Sequence, residues 1–273
     1  MGQKNVLIFC VGRDLLEGSV LDRNAHFMAD RISDLAFRVR SIHILDDVEE
    51  EMVAAFQNAL AQKPAFILVT GGVGPGHDDL TRESMAKATD RPLRQDKQAV
   101  EMLAKSYRRW FAKGLVEHPE LNEARLSIAE VPEGSICYEN PIGTAPAVRL
   151  KVDDTTIFLL PGVPAELQRL FTLYVVPALS SEGPGTLKKA VHVEWPGGDE
   201  SALKRILTDI GRHYPGLSSR ARVQGDDDVS IRISLFAEDA DEAELDRMLE
   251  KAEADLRARL GLELPTRADQ SGQ

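Results

Sequence analysis

Cysteine is almost missing from this 273-residue chain: Cys10 and Cys137 stand far apart, outside any CxxC or Cys/His cluster. That excludes a disulfide framework and a cysteine-based zinc site, and a reducing, cytoplasmic setting is expected. Long hydrophobic runs are missing too. The apolar stretch Val6 to Val11 is about half of a signal-peptide core and far short of the roughly 20 residues of a membrane span, so neither a targeting segment nor a membrane partner is expected. Basic charge is in deficit, with 33 Lys+Arg against 44 Asp+Glu and a net charge of −11. Such a surface repels a phosphate backbone, and the short basic cluster Lys105 to Lys113, with Arg108 and Arg109, reads as a solvated helix face. No nucleic-acid partner is expected.

What is present is an alternation of short β-branched runs with amphipathic segments, the pattern of parallel strands joined by crossover helices. Strands are expected over Asn5 to Val11, Arg38 to Leu45 and Ala65 to Thr70, and helices over Asp22 to Phe37, Val48 to Gln62 and Leu80 to Thr89. An apolar stripe of Val100, Leu103, Tyr107, Trp110 and Phe111 predicts one long helix from Arg94 to Lys113. Ala147 to Val152 and Thr155 to Leu160 read as a hairpin turning at Asp153 and Asp154. A helix follows over Ala165 to Val176, and Pro177 is expected to end it.

Ser, Gly and Pro crowd together from Ser180 to Thr186, which marks a boundary. Beyond it, strands at Ala190 to Trp195, Gly216 to Val223 and Val229 to Phe236, with helices at Glu200 to His213 and Asp241 to Leu260, suggest a small α+β unit. Asp226, Asp227 and Asp228 read as a solvated turn. Residues 1–180 are therefore taken as one α/β domain, 187–263 as an accessory domain and 264–273 as a flexible tail.

The segment richest in chemistry is Thr70-Gly71-Gly72-Val73-Gly74-Pro75-Gly76-His77-Asp78-Asp79-Leu80-Thr81, between a buried strand and a helix. Ligands bind at that carboxyl edge of parallel sheets, where glycines let backbone N–H groups and a helix N-terminus approach a phosphate. Asp78 and Asp79 would repel a naked phosphate, and a divalent metal bridging carboxylate and phosphate resolves the conflict. The alternative is that one of them caps the following helix; Asp46 and Asp47 could likewise cap the helix starting at Val48. His77, with no partner histidine nearby, reads as an exposed loop residue.

This loop resembles the signature of the MoaB/MogA-type molybdopterin-binding superfamily, and more closely the amino-terminal domain of the CinA (competence/damage-inducible protein A) family. Four other segments agree in order and spacing: Val11 to Gly18 followed by Asp22-Arg23-Asn24, Asp46-Asp47, Asn140 to Pro146, and Pro161 to Glu166. The likeness covers about residues 4–180, and the segment 188–262 resembles the family's middle domain. The family's carboxyl-terminal deamidase domain has no counterpart, so nicotinamide mononucleotide deamidation is expected to be absent. The sequence departs from the pattern at Asp14, where Glu is usual, at Arg13 beside it, at Gly76-His77 in place of Thr-Pro, and at Ala147 in place of Gly. The glycine at 76 is expected to loosen the loop.

The resemblance implies an α/β, three-layer molybdopterin-binding-like fold with a mostly parallel sheet. It also implies hydrolysis of a dinucleotide pyrophosphate such as ADP-ribose or FAD with Mg²⁺, Mn²⁺ or Co²⁺. Alternatives are a non-catalytic protein binding a pterin or nucleotide, and adenylyl transfer in molybdenum cofactor biosynthesis. In the corresponding assignment Asp46 and Asp79 hold the metal, and Asp78 is a further ligand or the base that orients water. Gly71, Gly72 and Gly74 offer backbone donors to phosphate, with Thr81 offering its hydroxyl or bonding its own backbone. Asp14 and Asn24 bind ribose or pterin groups or fix turns. Gly143, Thr144 and Pro146 line the opposite wall, and Glu166 faces either the ligand or the helix dipole. The ligand is a small nucleotide or molybdopterin, and a homo-oligomer is expected because relatives commonly self-associate.

Overall fold

The structure is a computed structural model that describes residues 4–35, 37–182, 187–196, 200–224, 230–239 and 241–263. It divides into two compact units, Met1–Ser33 with Phe37–Pro184, and Asp34–Ala36 with Gly185–Gln273. The Asp226–Asp228 turn and the tail at 264–273 lie outside the described residues.

In the first unit β1 (Asn5–Val11) leads through the short α1 (Arg13–Leu16) and α2 (Asn24–Asp34) to β2 (Arg38–Leu45). Next come α3 (Glu49–Ala61), β3 (Phe66–Thr70), α4 (Thr81–Ala88), β4 (Leu93–Gln95), α5 (Lys97–Ala112), α6 (Glu123–Ser127), β5 (Glu130–Pro132) and β6 (Ile136–Tyr138). The hairpin β7 (Ala147–Val152) and β8 (Thr155–Leu160) follows, then α7 (Pro164–Leu170), a π-helical turn over Phe171–Val175, and α8 (Val176–Glu182). Six strands form one sheet in the order β2-β1-β3-β8-β7-β6. β1, β2, β3 and β8 are parallel, while β7 and β6 run antiparallel to their neighbours.

Parallel strands covered on both faces need apolar residues at every position, and β3 and β8 are buried throughout. Leu7, Phe9, Ile67, Val69, Ile157 and Leu159 form one core with Met52 and Phe56 of α3, Met85 of α4 and Leu103 of α5. The alternate residues Ile8, Leu68 and Phe158 are equally buried, as are Met28 and Ile32 of α2 and Leu167 and Leu170 of α7. The result is the expected α/β/α layering around a mostly parallel sheet.

β1 passes the chain to β2 on one side and has β3 on the other. The loops after β1 and β3 therefore leave the carboxyl edge side by side, at the point where strand order reverses. That edge carries the candidate site.

Two local expectations needed correction. The segment from Arg94 is not one helix: Leu93–Gln95 pairs with Glu130–Pro132 in a small antiparallel ladder, and α5 starts only after Asp96, whose side chain accepts from the Ala99 N–H at 2.7 Å. Nor does Pro177 end the last helix, which continues to Glu182. Proline lacks an N–H and crowds the carbonyl four residues back, and the wider π-helical turn just before it removes that conflict.

The second unit holds β9 (Leu187–Trp195), α9 (Glu200–His213), β10 (Leu217–Gln224), β11 (Ser230–Asp239) and α10 (Glu242–Leu260), with the antiparallel order β10-β11-β9. Val193, Ile231, Ile233 and Leu235 of the sheet pack with Leu203 and Ile210 of α9 and Leu245, Leu249 and Leu256 of α10. Asp241 caps α10, and Gly261 closes it in the left-handed conformation. Among the described residues no helix is long and apolar enough to cross a membrane.

Phe56 is fully buried and meets Phe9 edge to face, with ring centroids 5.4 Å apart. Phe56→Ala should lower unfolding stability by about 3–5 kcal/mol in urea titrations.

Candidate functional site

A cavity of about 490 Å³ opens at the carboxyl edge of the sheet, lined by the segments after β1, β2, β3 and β8 and by the 140–146 loop. Its floor is the glycine loop. Gly71 has φ +94°, and a Cβ there would lie 2.1 Å from the Val11 carbonyl oxygen, so only glycine lets β3 turn so closely beside β1. The Gly71 N–H donates to the Leu160 carbonyl at 3.0 Å. It is therefore spent on the sheet and is not the phosphate donor expected of it.

The carbonyls of this loop are held by the first turn of α4. Thr81 Oγ1 donates to the Gly71 carbonyl at 2.8 Å and Thr81 N–H to the Gly72 carbonyl at 3.0 Å. Arg82 Nη1 donates to the Val73 carbonyl, and Nη2 to the Gly74 carbonyl at 3.1 Å. Among the described residues, the N–H groups of Gly72, Val73 and Gly74 make no hydrogen bond within the chain. The Gly72 and Gly74 N–H groups, expected as phosphate donors, are thus unspent, and so is that of Val73. Thr81 is fully buried and off the cavity wall, and its hydroxyl takes the backbone-bonding alternative.

Neither aspartate of the loop caps α4, whose N-cap is Leu80 with no side-chain bond. Asp79 Oδ2 instead accepts from the Gly76 N–H at 2.7 Å, which ties down the turn that glycine at 76 was expected to loosen. A Cβ on Gly76 would come within 2.5 Å of Asp78 Oδ1. Asp78 and Asp79 both line the cavity, and His77 is fully exposed.

The aspartates after β2 do not cap α3 either. Asp46 Oδ1 accepts from Arg13 Nε at 2.9 Å and from the Asp47 N–H at 2.8 Å, and its pKa is held down by that guanidinium. Asp46 is not on the cavity wall; Asp47 is, together with Asp14. The structure thus does not gather Asp46 with Asp78 and Asp79, and among the described residues no group of three or more His, Cys, Asp and Glu is arranged to hold a metal alone. The Asp47 carboxyl, which accepts from Arg13 N–H at 2.9 Å, is pushed up first by burial and then by the charges of Asp78, Asp46 and Asp14.

Asn24 lines the cavity and fixes its wall. Its Nδ2 donates to the Gly162 carbonyl at 2.7 Å and to Thr70 Oγ1 at 3.2 Å, while Asp22 Oδ1 accepts from the Asn24 and Ala25 N–H groups at 2.9 and 3.0 Å. Cys10 sits on the same wall as a buried free thiol, its pKa pushed far above the usual range by burial and by Asp22. Such a thiol is inert.

On the opposite wall Thr144 lines the cavity as expected, with Ala145 beside it. Gly143 and Pro146 do not, being buried behind it. Asn140 organises this loop: its Oδ1 accepts from the Ile142 and Gly143 N–H groups, and its Nδ2 donates to the Ala145 carbonyl and, at 2.7 Å, to Glu166 Oε2. Arg109, expected on a solvated face, reaches the carbonyls of Asn140 and Gly143 at 3.1 and 2.8 Å. Glu166 both faces the cavity and stands in the first turn of α7. Burial raises its pKa, with Asn140 and Arg109 pulling the other way.

Asp47, Arg82, Arg109 and Asn140 were not singled out as site residues by the sequence. Asn140 opens the Asn-Pro turn already noted there, a usable signal; Arg82 carries none, because a charged residue in a helix's first turn reads as exposed.

The probable molybdopterin binding domain model matches residues 7–181. The chain is 34% identical over 233 residues to a protein of Pyrococcus horikoshii, covering 85% of this chain and 89% of that one. It is 30% identical over 263 residues to a CinA-like protein of Myxococcus xanthus, covering 95% of this chain and 60% of that one. Among solved structures, CinA of Thermoplasma acidophilum aligns at 31% identity with a TM-score of 0.58, covering 64% of this chain and 98% of that one.

Gly71→Ala forces a Cβ onto the Val11 backbone and should cost about 3–5 kcal/mol in denaturant unfolding. Glu166→Gln tests the raised carboxyl. A carboxyl whose folded-state pKa lies above its unfolded value is most compatible with the fold when protonated, and the ionised form costs stability as pH rises through the folded pKa. The variant should melt higher than the wild type at pH 7–8, and the difference should vanish below the ordinary glutamate range, as read from melting curves across pH.

Proposed function

The chain belongs to the molybdopterin-binding domain family and is CinA-like, and on that premise we propose that its cavity hydrolyses the phosphoanhydride of a dinucleotide pyrophosphate of the ADP-ribose or FAD type. The observation that carries this reading is the pairing of two complementary halves in one cavity. The N–H groups of Gly72, Val73 and Gly74 have no partner among the described residues, and Asp14, Asp47 and Asp78 line the same cavity.

A divalent cation fits this donor set only in the manner of Mg²⁺, which takes one or two carboxylates and completes its shell from water and substrate phosphates. Asp47 is near the carboxylates of Asp78, Asp46 and Asp14, whose repulsion a cation would relieve, although its pKa is raised first by burial and only then by those charges. Asp47 and Asp14 would hold it, in place of the Asp46 and Asp79 pair expected from the sequence. When bound, it would neutralise phosphate charge and lower the pKa of a bound water.

The chain's own groups do the rest. Gly72, Val73 and Gly74 donate to the phosphoryl oxygens as charge builds on them. Asp78 accepts the proton of the attacking water. A new P–O bond forms to one phosphorus, the bridging P–O bond breaks, and two phosphate monoesters leave. Thr144, Ala145 and Glu166 border the space left for the rest of the nucleotide.

Incubation with ADP-ribose or FAD and Mg²⁺, Mn²⁺ or Co²⁺ should release AMP, and Asp47→Asn and Asp78→Asn should each lower kcat by about 10²-fold or more. Metal-independent turnover, or full activity in both variants, would overturn the reading. Tight nucleotide binding without products would favour a binding protein instead, and AMP transfer from ATP to molybdopterin would favour adenylyl transfer.

A further inference from the structure

Among the described residues Arg82 is the largest fully buried side chain, only 2% exposed, yet it forms no ion pair there. Its Nε has no hydrogen-bond partner, and Glu83, Asp79 and Glu130 act on it only through space. An unpaired buried cation costs several kcal/mol by order of magnitude unless something nearby uses the charge. What it touches is the outer side of the glycine loop.

The direction of those contacts decides what the loop presents. In a trans peptide the carbonyl and the N–H of the next residue point to opposite sides. Thr81 holds the carbonyls of Gly71 and Gly72, and Arg82 holds that of Val73. The N–H groups of Gly72, Val73 and Gly74 therefore point away from α4, and these are the three donors left without partners. The Gly74 carbonyl is also held by Arg82, at no loss of a donor because Pro75 has no N–H.

We propose that Arg82 is the positioning residue and fixed counter-charge of this loop, and that it allows the loop to bind a phosphoryl group with no divalent cation present. The proposal rests on reading the glycine loop as an anion nest and is independent of whether the bound anhydride is hydrolysed. Its charge lies on the far side of the loop from the ligand, where it offsets the carboxylates of the cavity without touching the substrate.

The probe is inorganic pyrophosphate in EDTA, followed by amide proton and nitrogen resonances and by calorimetry on the whole chain. Pyrophosphate should bind the wild type and shift the resonances of Gly72, Val73 and Gly74. Arg82→Met, which keeps the stem and removes the charge, should melt cooperatively and bind at least ten-fold more weakly. Arg82→Lys, which keeps the charge and loses the fork that grips two carbonyls, should fall between the two. Wild-type binding that requires added Mg²⁺ would overturn the proposal, as would Arg82→Met binding as tightly as the wild type. Arg82→Lys at wild-type affinity would also overturn it, which decides the matter where Arg82→Met fails to fold. Retained pyrophosphate binding with no hydrolysis of ADP-ribose or FAD would leave this proposal standing and defeat only the hydrolase reading.

Discussion

The backbone of Gly71 passes so close to β1 that no side chain fits between them, and the candidate site depends on that approach. The strand end is pinned to Leu160 through the Gly71 N–H, and the Gly71 Cα lies 3.3 Å from the place a Cβ on Gly162 would occupy. Asn24 closes the same junction from the β1 side through the Gly162 carbonyl. Three loops from three parallel strands thus meet through backbone atoms. With their positions set this way, α4 can take hold of the loop carbonyls and leave the opposite peptide edge to the cavity.

Charge follows the same division. The chain's excess of acid is not spread evenly around the site: Asp14, Asp47, Asp78 and Asp79 collect on the cavity wall, while Asp46 is turned to Arg13. The Arg13–Asp46 pair is largely exposed and screened, so it contributes little stability. Its consequence is directional, since it takes one of two adjacent carboxylates off the wall and leaves the other. Behind the loop, Arg82 sets a single buried cation against this acid. Coulomb interactions gain strength as water is excluded, so the buried Arg82 acts on its neighbours with less screening than the exposed Arg13 does.

Much of the fold was legible because its signals are local. Val6–Val11 is apolar at every position and Ile157–Leu160 likewise, which suits strands covered on both faces, and the Asp153-Asp154 turn reads directly as a hairpin. The glycine loop after β3 was equally legible, because few residue types tolerate that backbone. The misreadings came where a local signal was outvoted. Pro177 breaks an ordinary helix but not one that has just widened into a π-helical turn. For the aspartates at 46–47 and 78–79 the sequence left helix capping open beside a place in the site, and Arg13 and the Gly76 N–H take Asp46 and Asp79 instead, so the helices start without caps from them.

From the sequence alone came the parallel α/β class, the glycine loop at the carboxyl edge of the sheet and the family to which the first 180 or so residues belong, because hydrophobic period and glycine placement act over a few neighbouring residues. Tertiary structure alone decided which of two adjacent aspartates faces the cavity, which loop N–H groups remain unpaired, and that Arg82 lies beneath them rather than in water. Each of those outcomes depends on contacts between segments distant in the chain, Arg13 with Asp46 and Gly71 with Val11 and Leu160, and no periodicity within one segment encodes them.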